Sequence, residues 1–155
     1  MLMNRKCRYS HCWYDGQIDI NKEQYVQSGS SYYHTKCYNT KQDIDFIKQY
    51  WHDNIDCNVV YSQLIKILNQ LIFENHNDSD YVKFVVMYCV EHKMNLHYPP
   101  GIKYFISNHK IQIEYQKTKI KKVDTYNFSA TENNDEPSFS IKKKQQGFGS
   151  ILGRK

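Results

Sequence analysis

Four residues carry the chemistry for which this chain can be read: Cys7, Cys12, His34 and Cys37. They form two pairs, Cys7-x4-Cys12 and His34-x2-Cys37, separated by a polar, turn-rich span. A short loop between paired ligands lets backbone amides point at the thiolates while both side chains reach one ion. Two such pairs complete a closed tetrahedral zinc site with three sulfurs and one nitrogen. The energetics agree. A module of about 40 residues buries too little apolar surface to fold unaided. A structural zinc contributes on the order of 10–16 kcal/mol, comparable to the stability of a whole domain. Two alternatives stand beside this ligand set. His11 could replace Cys12 as Cys7-x3-His11, or Cys7 and Cys12 could form a disulfide. The disulfide fits poorly with five cysteines and an opening Met-Leu-Met-Asn-Arg-Lys that lacks an apolar signal region. A reducing, cytoplasmic setting is expected.

The run Tyr32-Tyr33-His34-Thr35-Lys36-Cys37-Tyr38 after a distant cysteine pair resembles the first zinc module of LIM domains, a treble-clef-like finger. In that family an aromatic residue precedes the histidine and the last ligand opens a helix. The resemblance implies the same four ligands, Cys7, Cys12, His34 and Cys37; it supports the fold of the finger rather than the cellular role of LIM proteins, whose fingers mostly bind proteins. It covers the first quarter of the chain and departs from the family in two ways. The first pair is spaced x4 rather than x2, and no second cysteine-rich module follows. The layout of one finger, a helical region and a basic tail is also similar to small uncharacterised zinc-finger proteins of bacteriophages, which implies an accessory role.

Several elements must position these ligands. Asp15-Gly16 reads as a hairpin turn between Cys12-Trp13-Tyr14 and Gln17-Ile18-Asp19-Ile20. A second hairpin runs from Gln24-Tyr25-Val26 to Ser31-Tyr32-Tyr33 around Gln27-Ser28-Gly29-Ser30. A helix is expected from about Thr35 to Trp51, with Ile44, Ile47 and Trp51 on its apolar face. Asp43 and Asp45 read as its solvated face. The fold class is therefore α+β: a finger over residues 1–54, a helical domain over 55–123 and a flexible tail over 124–155.

In the helical part, Val60, Leu64, Ile67, Leu68 and Leu71 mark a helix from about Val59 to Phe73. A further helix, capped by Ser79 or Asp80 and running to about Met94, carries Tyr81, Phe84, Val85, Tyr88, Cys89 and His92. It is apolar nearly all round and is expected at the centre. Cys57 and Cys89 read as small buried hydrophobes. Cys89-x2-His92-x4-His97 lacks a convincing fourth ligand, so structural histidines are the better reading. Tyr98-Pro99-Pro100-Gly101 breaks the chain. An amphipathic segment follows over about Ser107–Lys122, with Ile106, Ile113 and Ile120 every seven residues. Lys103, Lys110, Lys117, Lys119, Lys121 and Lys122 lie beside it as a candidate phosphate-contacting edge.

Charge follows the same division. The net charge is +5. Residues 1–57 are balanced, with seven basic and seven acidic side chains, whereas residues 58–123 carry nine against five. From Asp124 the composition turns polar without periodicity. The chain then ends in an apolar, basic peptide in which Phe139, Ile141, Phe148, Ile151 and Leu152 are candidate partner-binding residues.

An enzyme is the least supported class. A four-ligand zinc leaves no open position, and no phosphate-cradling glycine loop occurs. The sequence reading is a non-catalytic, zinc-binding adaptor or inhibitor that docks a protein. The alternative is a DNA- or RNA-binding accessory protein that uses the basic 103–122 segment. No run is long enough to span a membrane.

Overall fold

The computed structural model describes residues 4–20 and 23–129. It is α+β, two small antiparallel hairpins followed by helices. By packing, residues 1–120 form one compact unit and residues 121–155 a second. Every side chain whose placement is described below lies in the first unit, Lys121 and Lys122 excepted.

The first hairpin pairs β1 (Asn4–Lys6) with β2 (Gln17–Asp19), with Arg5 opposite Ile18 and Lys6 opposite Gln17. This corrects the sequence expectation, which placed its first strand at Cys12–Tyr14. The pairing strand lies before Cys7, and both cysteines sit in the long connection between the strands. Gly16, at φ +85°, turns that connection back into β2, and its carbonyl accepts from Cys7 N at 2.7 Å. The chemistry explains the shift. Residues 12–14 are needed in the loop that folds around the ligands, so they are not free to join a ladder.

The second hairpin pairs β3 (Tyr25–Ser28) with β4 (Ser31–His34). Its two-residue loop is Gly29-Ser30, with positive φ only at Gly29, a type II′ turn whose twist suits a hairpin. Cys7 bridges Tyr32 and Arg8 N donates to Tyr32 O at 2.9 Å, so the two hairpins are tied together beside the cysteine loop.

Helix α1 (Thr35–Asn54) begins directly at the end of β4. Its first turn carries Cys37 into the finger, and its later turns carry Ile44, Ile47 and Trp51 into the main core. α1 thus belongs to both parts of the unit. Asp43 departs from the solvated-face expectation. Its carboxylate accepts from Ser79 Oγ at 2.6 Å and from Lys83 Nζ. Asp45 does stay exposed, between Lys41 and Lys48.

α2 (Tyr61–Asn69) buries Leu64 and Leu68, then widens into a π-helical turn, Gln70–Glu74. The wider turn lets adjacent Leu71 and Ile72 both be buried and leaves Phe73 facing the finger. Val60, expected on the apolar stripe, is exposed as the residue before the helix. α3 (Ser79–Glu91) is the central helix, capped by Asp78 and burying Val82, Val85, Val86 and Cys89. It ends before Met94. Lys93 adopts φ 52°, Met94 N reaches Cys89 O and Lys93 N reaches Val90 O, a Schellman motif with lysine where glycine is usual.

α5 (His109–Ser129) covers the segment expected over about 107–122 and runs beyond it, and α4 (Gly101–Ile106) is a separate short helix before it. Asn108 caps α5, its side chain accepting from Lys110 N at 3.0 Å. The seven-residue isoleucine pattern does not mark the buried face. Ile106 is buried in α4, whereas Ile113 and Ile120 are 42% and 61% exposed. Ile111 and Tyr115 are the residues that pack inward. Tyr81 and Phe84 pack with tilted rings against Tyr115, and its hydroxyl donates to Asp80, which fixes the rotation of the helix. Among the described residues no helix is long and apolar enough to cross a membrane.

Candidate metal centre

The hairpins and the start of α1 bring four donors together. The donor atoms of Cys7, Cys12, His34 and Cys37 all lie within 4.8 Å of one another. Cys7 and Cys12 come from the loop of the first hairpin. His34 closes the second hairpin, and Cys37 lies on the first turn of α1. Cys7, His34 and Cys37 are buried, and Cys12 is half-buried.

The separations among Cys12, His34 and Cys37 fit a tetrahedral ion. Metal–sulfur bonds of about 2.3 Å and metal–nitrogen bonds of about 2.0–2.1 Å give edges of roughly 3.8 Å between sulfurs and 3.6 Å between sulfur and nitrogen. Cys37 Sγ is 3.7 Å from Cys12 Sγ, and His34 Nδ1 is 3.4 Å from Cys12 Sγ and 3.8 Å from Cys37 Sγ. A set of three cysteines and one histidine can hold a metal ion and is compatible with one structural zinc.

Surrounding groups orient the ligands. His34 Nε2 donates to Gln17 O at 3.0 Å, with Glu23 Oε2 at 3.3 Å. That assigns the proton to Nε2 and leaves the Nδ1 lone pair for the cluster, as metal-ligating histidines require. The Tyr14 ring lies 4.4 Å from the imidazole, and Tyr14 N donates to Cys12 Sγ at 3.5 Å. Burial alone would raise the Cys7 thiol, but the N–H groups of Tyr9 and His34 outweigh it and hold Cys7 below its ordinary value. Cys37 goes the other way. Burial pushes it up to about 12, against the Trp13 N–H, and the neighbouring Cys12 and Cys7 add to the rise. A cation bound among the sulfurs would favour their thiolate forms.

His11 lies outside the four-donor cluster. Its ring stacks on Phe73 at 5.2 Å between centroids, and Asn69 Nδ2 lies 3.3 Å from Nε2. It belongs to an aromatic seam that holds the cysteine loop on the helices. Phe73 sits 4.8 Å from Trp13 and 6.2 Å from Tyr9. Trp13 also donates from Nε1 to Thr40 Oγ1 at 3.2 Å, and the Lys36 ammonium lies 3.9 Å over its ring. The sequence reading missed this seam. Its signal was present in the aromatic immediately after the second ligand and the Lys36/Thr40 pair one turn apart on α1.

The remaining candidate residues lie elsewhere. All five cysteines are free thiols. Cys57 is exposed, which corrects the expectation that it is buried, because it falls in the turn between α1 and α2. Cys89 is buried in α3, and burial raises it to about 11. His92 stacks on Tyr88 at 3.8 Å and its Nδ1 faces Tyr88 O at 3.0 Å. Lys103, Lys110, Lys117, Lys119, Lys121 and Lys122 are all exposed. Lys103 reaches Gln70, Lys117 pairs with Glu114, and Lys119 lies 3.7 Å from Asp78. Phe139, Ile141, Phe148, Ile151 and Leu152 lie outside the described residues. No protein-family model matches the chain, and no curated protein or solved structure matches it either.

Proposed function

We propose that this protein is a non-catalytic adaptor or inhibitor, folded around one structural zinc in a LIM-like, treble-clef-like finger, that docks a protein partner. The observation that carries this reading is the cluster itself. Four protein donors fill a tetrahedral shell, so the ion has no position for water or substrate and serves the fold. Binding is then the remaining task, and two features support it. Tyr98, Tyr104, Ile113 and Ile120 are large apolar side chains left exposed. The sequence of residues 139–155 sets Phe139, Ile141, Phe148, Ile151 and Leu152 among Lys142, Lys143, Lys144, Arg154 and Lys155, a composition suited to an acidic-rimmed hydrophobic groove. The role of the 103–122 lysines in nucleic-acid contact is weakened by the local engagement of Lys103, Lys117 and Lys119.

The test compares the full chain with a truncation after Pro137, each used as bait in the native host. The adaptor reading expects an unchanged melting temperature and loss of the captured protein. Lower stability with capture intact would assign the tail to the fold and contradict a tail-borne partner site. Cys37→Ser should lose metal and unfold the finger, and full metal retention would sink the ligand set.

A further inference from the structure

The charge balance of the finger conceals a local asymmetry. Arg5, Lys6 and Arg8 precede its first acidic residue, Asp15. Lys6 and Arg8 line a cleft of about 630 Å³ between the cysteine loop and the turn of the second hairpin. Cys7, Tyr9, Ser10, Ser30, Ser31 and Tyr32 also line it, and among the described residues no carboxylate does. Among the described residues neither cation has an ion-pair partner, and none of the three serine hydroxyls makes a hydrogen bond. Arg5 lies just outside this lining, 5.4 Å from the centroid of the Tyr32 ring.

We propose that this cleft binds the phosphodiester backbone of single-stranded nucleic acid. The volume lies within the range of pre-formed ligand pockets. Lys6 and Arg8 enter the cleft from two points two residues apart, about 6–7 Å where a chain is extended. That suits a linear polyanion better than one isolated phosphate. Unpaired hydroxyls offer donors to phosphate oxygens, and Tyr32 in the lining offers apolar surface to bases, the combination used by single-strand grooves. A duplex reader would instead present a helix or β-ribbon to a groove. The site goes beyond the adaptor reading and does not use the lysines of α4 and α5.

The test uses the full, metal-loaded chain and a fluorescein-labelled short oligo(dT), followed by anisotropy across a salt titration. Wild type should bind at low salt with a steep salt dependence. Lys6→Glu with Arg8→Glu should weaken binding by on the order of tenfold and reduce the salt slope by about 1.4, two contacts at 0.7 each. Lys110→Glu with Lys117→Glu should bind as wild type. Melting temperature and metal content check each variant, and Lys6→Gln with Arg8→Gln replaces the charge reversal if that chain does not fold. Three results would overturn the site: no binding by wild type at low salt, unchanged binding by both cleft variants, or loss confined to the α5 variant. Displacement of the oligonucleotide by inorganic phosphate as readily as by unlabelled strand would also overturn it, reducing the cleft to an ion site. None of these results bears on capture through the tail.

Discussion

Replacing Phe73 by alanine should uncouple the finger from the helices without touching a metal ligand. Phe73 is half-buried at the π-turn and touches three rings of the cysteine loop, Trp13, His11 and Tyr9, at centroid distances of 4.8, 5.2 and 6.2 Å. A fully buried Phe→Ala change costs about 3–5 kcal/mol, and half-burial reduces that part to roughly 2. Ring pairs add about 0.5–1.5 kcal/mol each at good geometry. The two longer contacts count at the low end, so about 2–4 kcal/mol in total is expected, a large share of the 5–15 kcal/mol typical of a domain. Phe73→Leu keeps apolar volume and removes only the ring contacts, so it should lose about 1 kcal/mol. Urea unfolding followed by tryptophan fluorescence measures both, because Trp13 lies on the seam and Trp51 in the main core. Metal content should stay at the wild-type level. A loss below about 0.5 kcal/mol for the alanine variant would mean that the seam does not hold the finger and would refute the reasoning.

Three further outcomes follow from the packing. In the metal-loaded protein, Cys57 should be the one thiol that reacts rapidly with a thiol reagent, with Cys89 inert until unfolding; timed alkylation with peptide mapping reads this, and a fast Cys89 would contradict its burial. Burial raises the Tyr115 and Tyr81 hydroxyls, and Lys83 is held above its ordinary value by Asp43 and Asp80 although burial alone would lower it. All three shifts are upward, so the stability they supply is complete below about pH 10 and is lost as pH rises through the folded values. A melting temperature that is flat from pH 10 to 12 would contradict this. Lys93→Gly should raise stability by about 0.5–1 kcal/mol by relieving a left-handed backbone at the end of α3, measured by urea unfolding; a loss would show that the lysine side chain contributes there.

The ligand set was legible because metal chemistry ties residue type to spacing. Cys7, Cys12, His34 and Cys37 needed no tertiary information. The second hairpin and the apolar face of α1 were legible for a similar reason, since Gly29 marks a turn and Ile44, Ile47 and Trp51 repeat at helical spacing. What failed had two equally good local solutions. Asp15-Gly16 fits a tight hairpin as well as the end of a long ligand loop, and only the pairing of β1 with β2 decides. The isoleucines at 106, 113 and 120 fit a seven-residue stripe, but the chain breaks between α4 and α5 and Tyr115 sets the rotation. Asp43 looked solvated because its partners, Ser79 and Lys83, are far away in sequence. The cation pair Lys6 and Arg8 was hidden inside a balanced charge count, since the cleft exists only once the two hairpins meet.

The central claim, that one closed zinc site organises the finger, is tested most directly by zinc K-edge X-ray absorption on the purified full chain, with elemental analysis of the same sample. One zinc per chain is expected, in a shell of three sulfurs at about 2.3 Å and one nitrogen at about 2.0–2.1 Å. A protein purified under reducing conditions without metal, or a zinc shell dominated by nitrogen and oxygen, would contradict it.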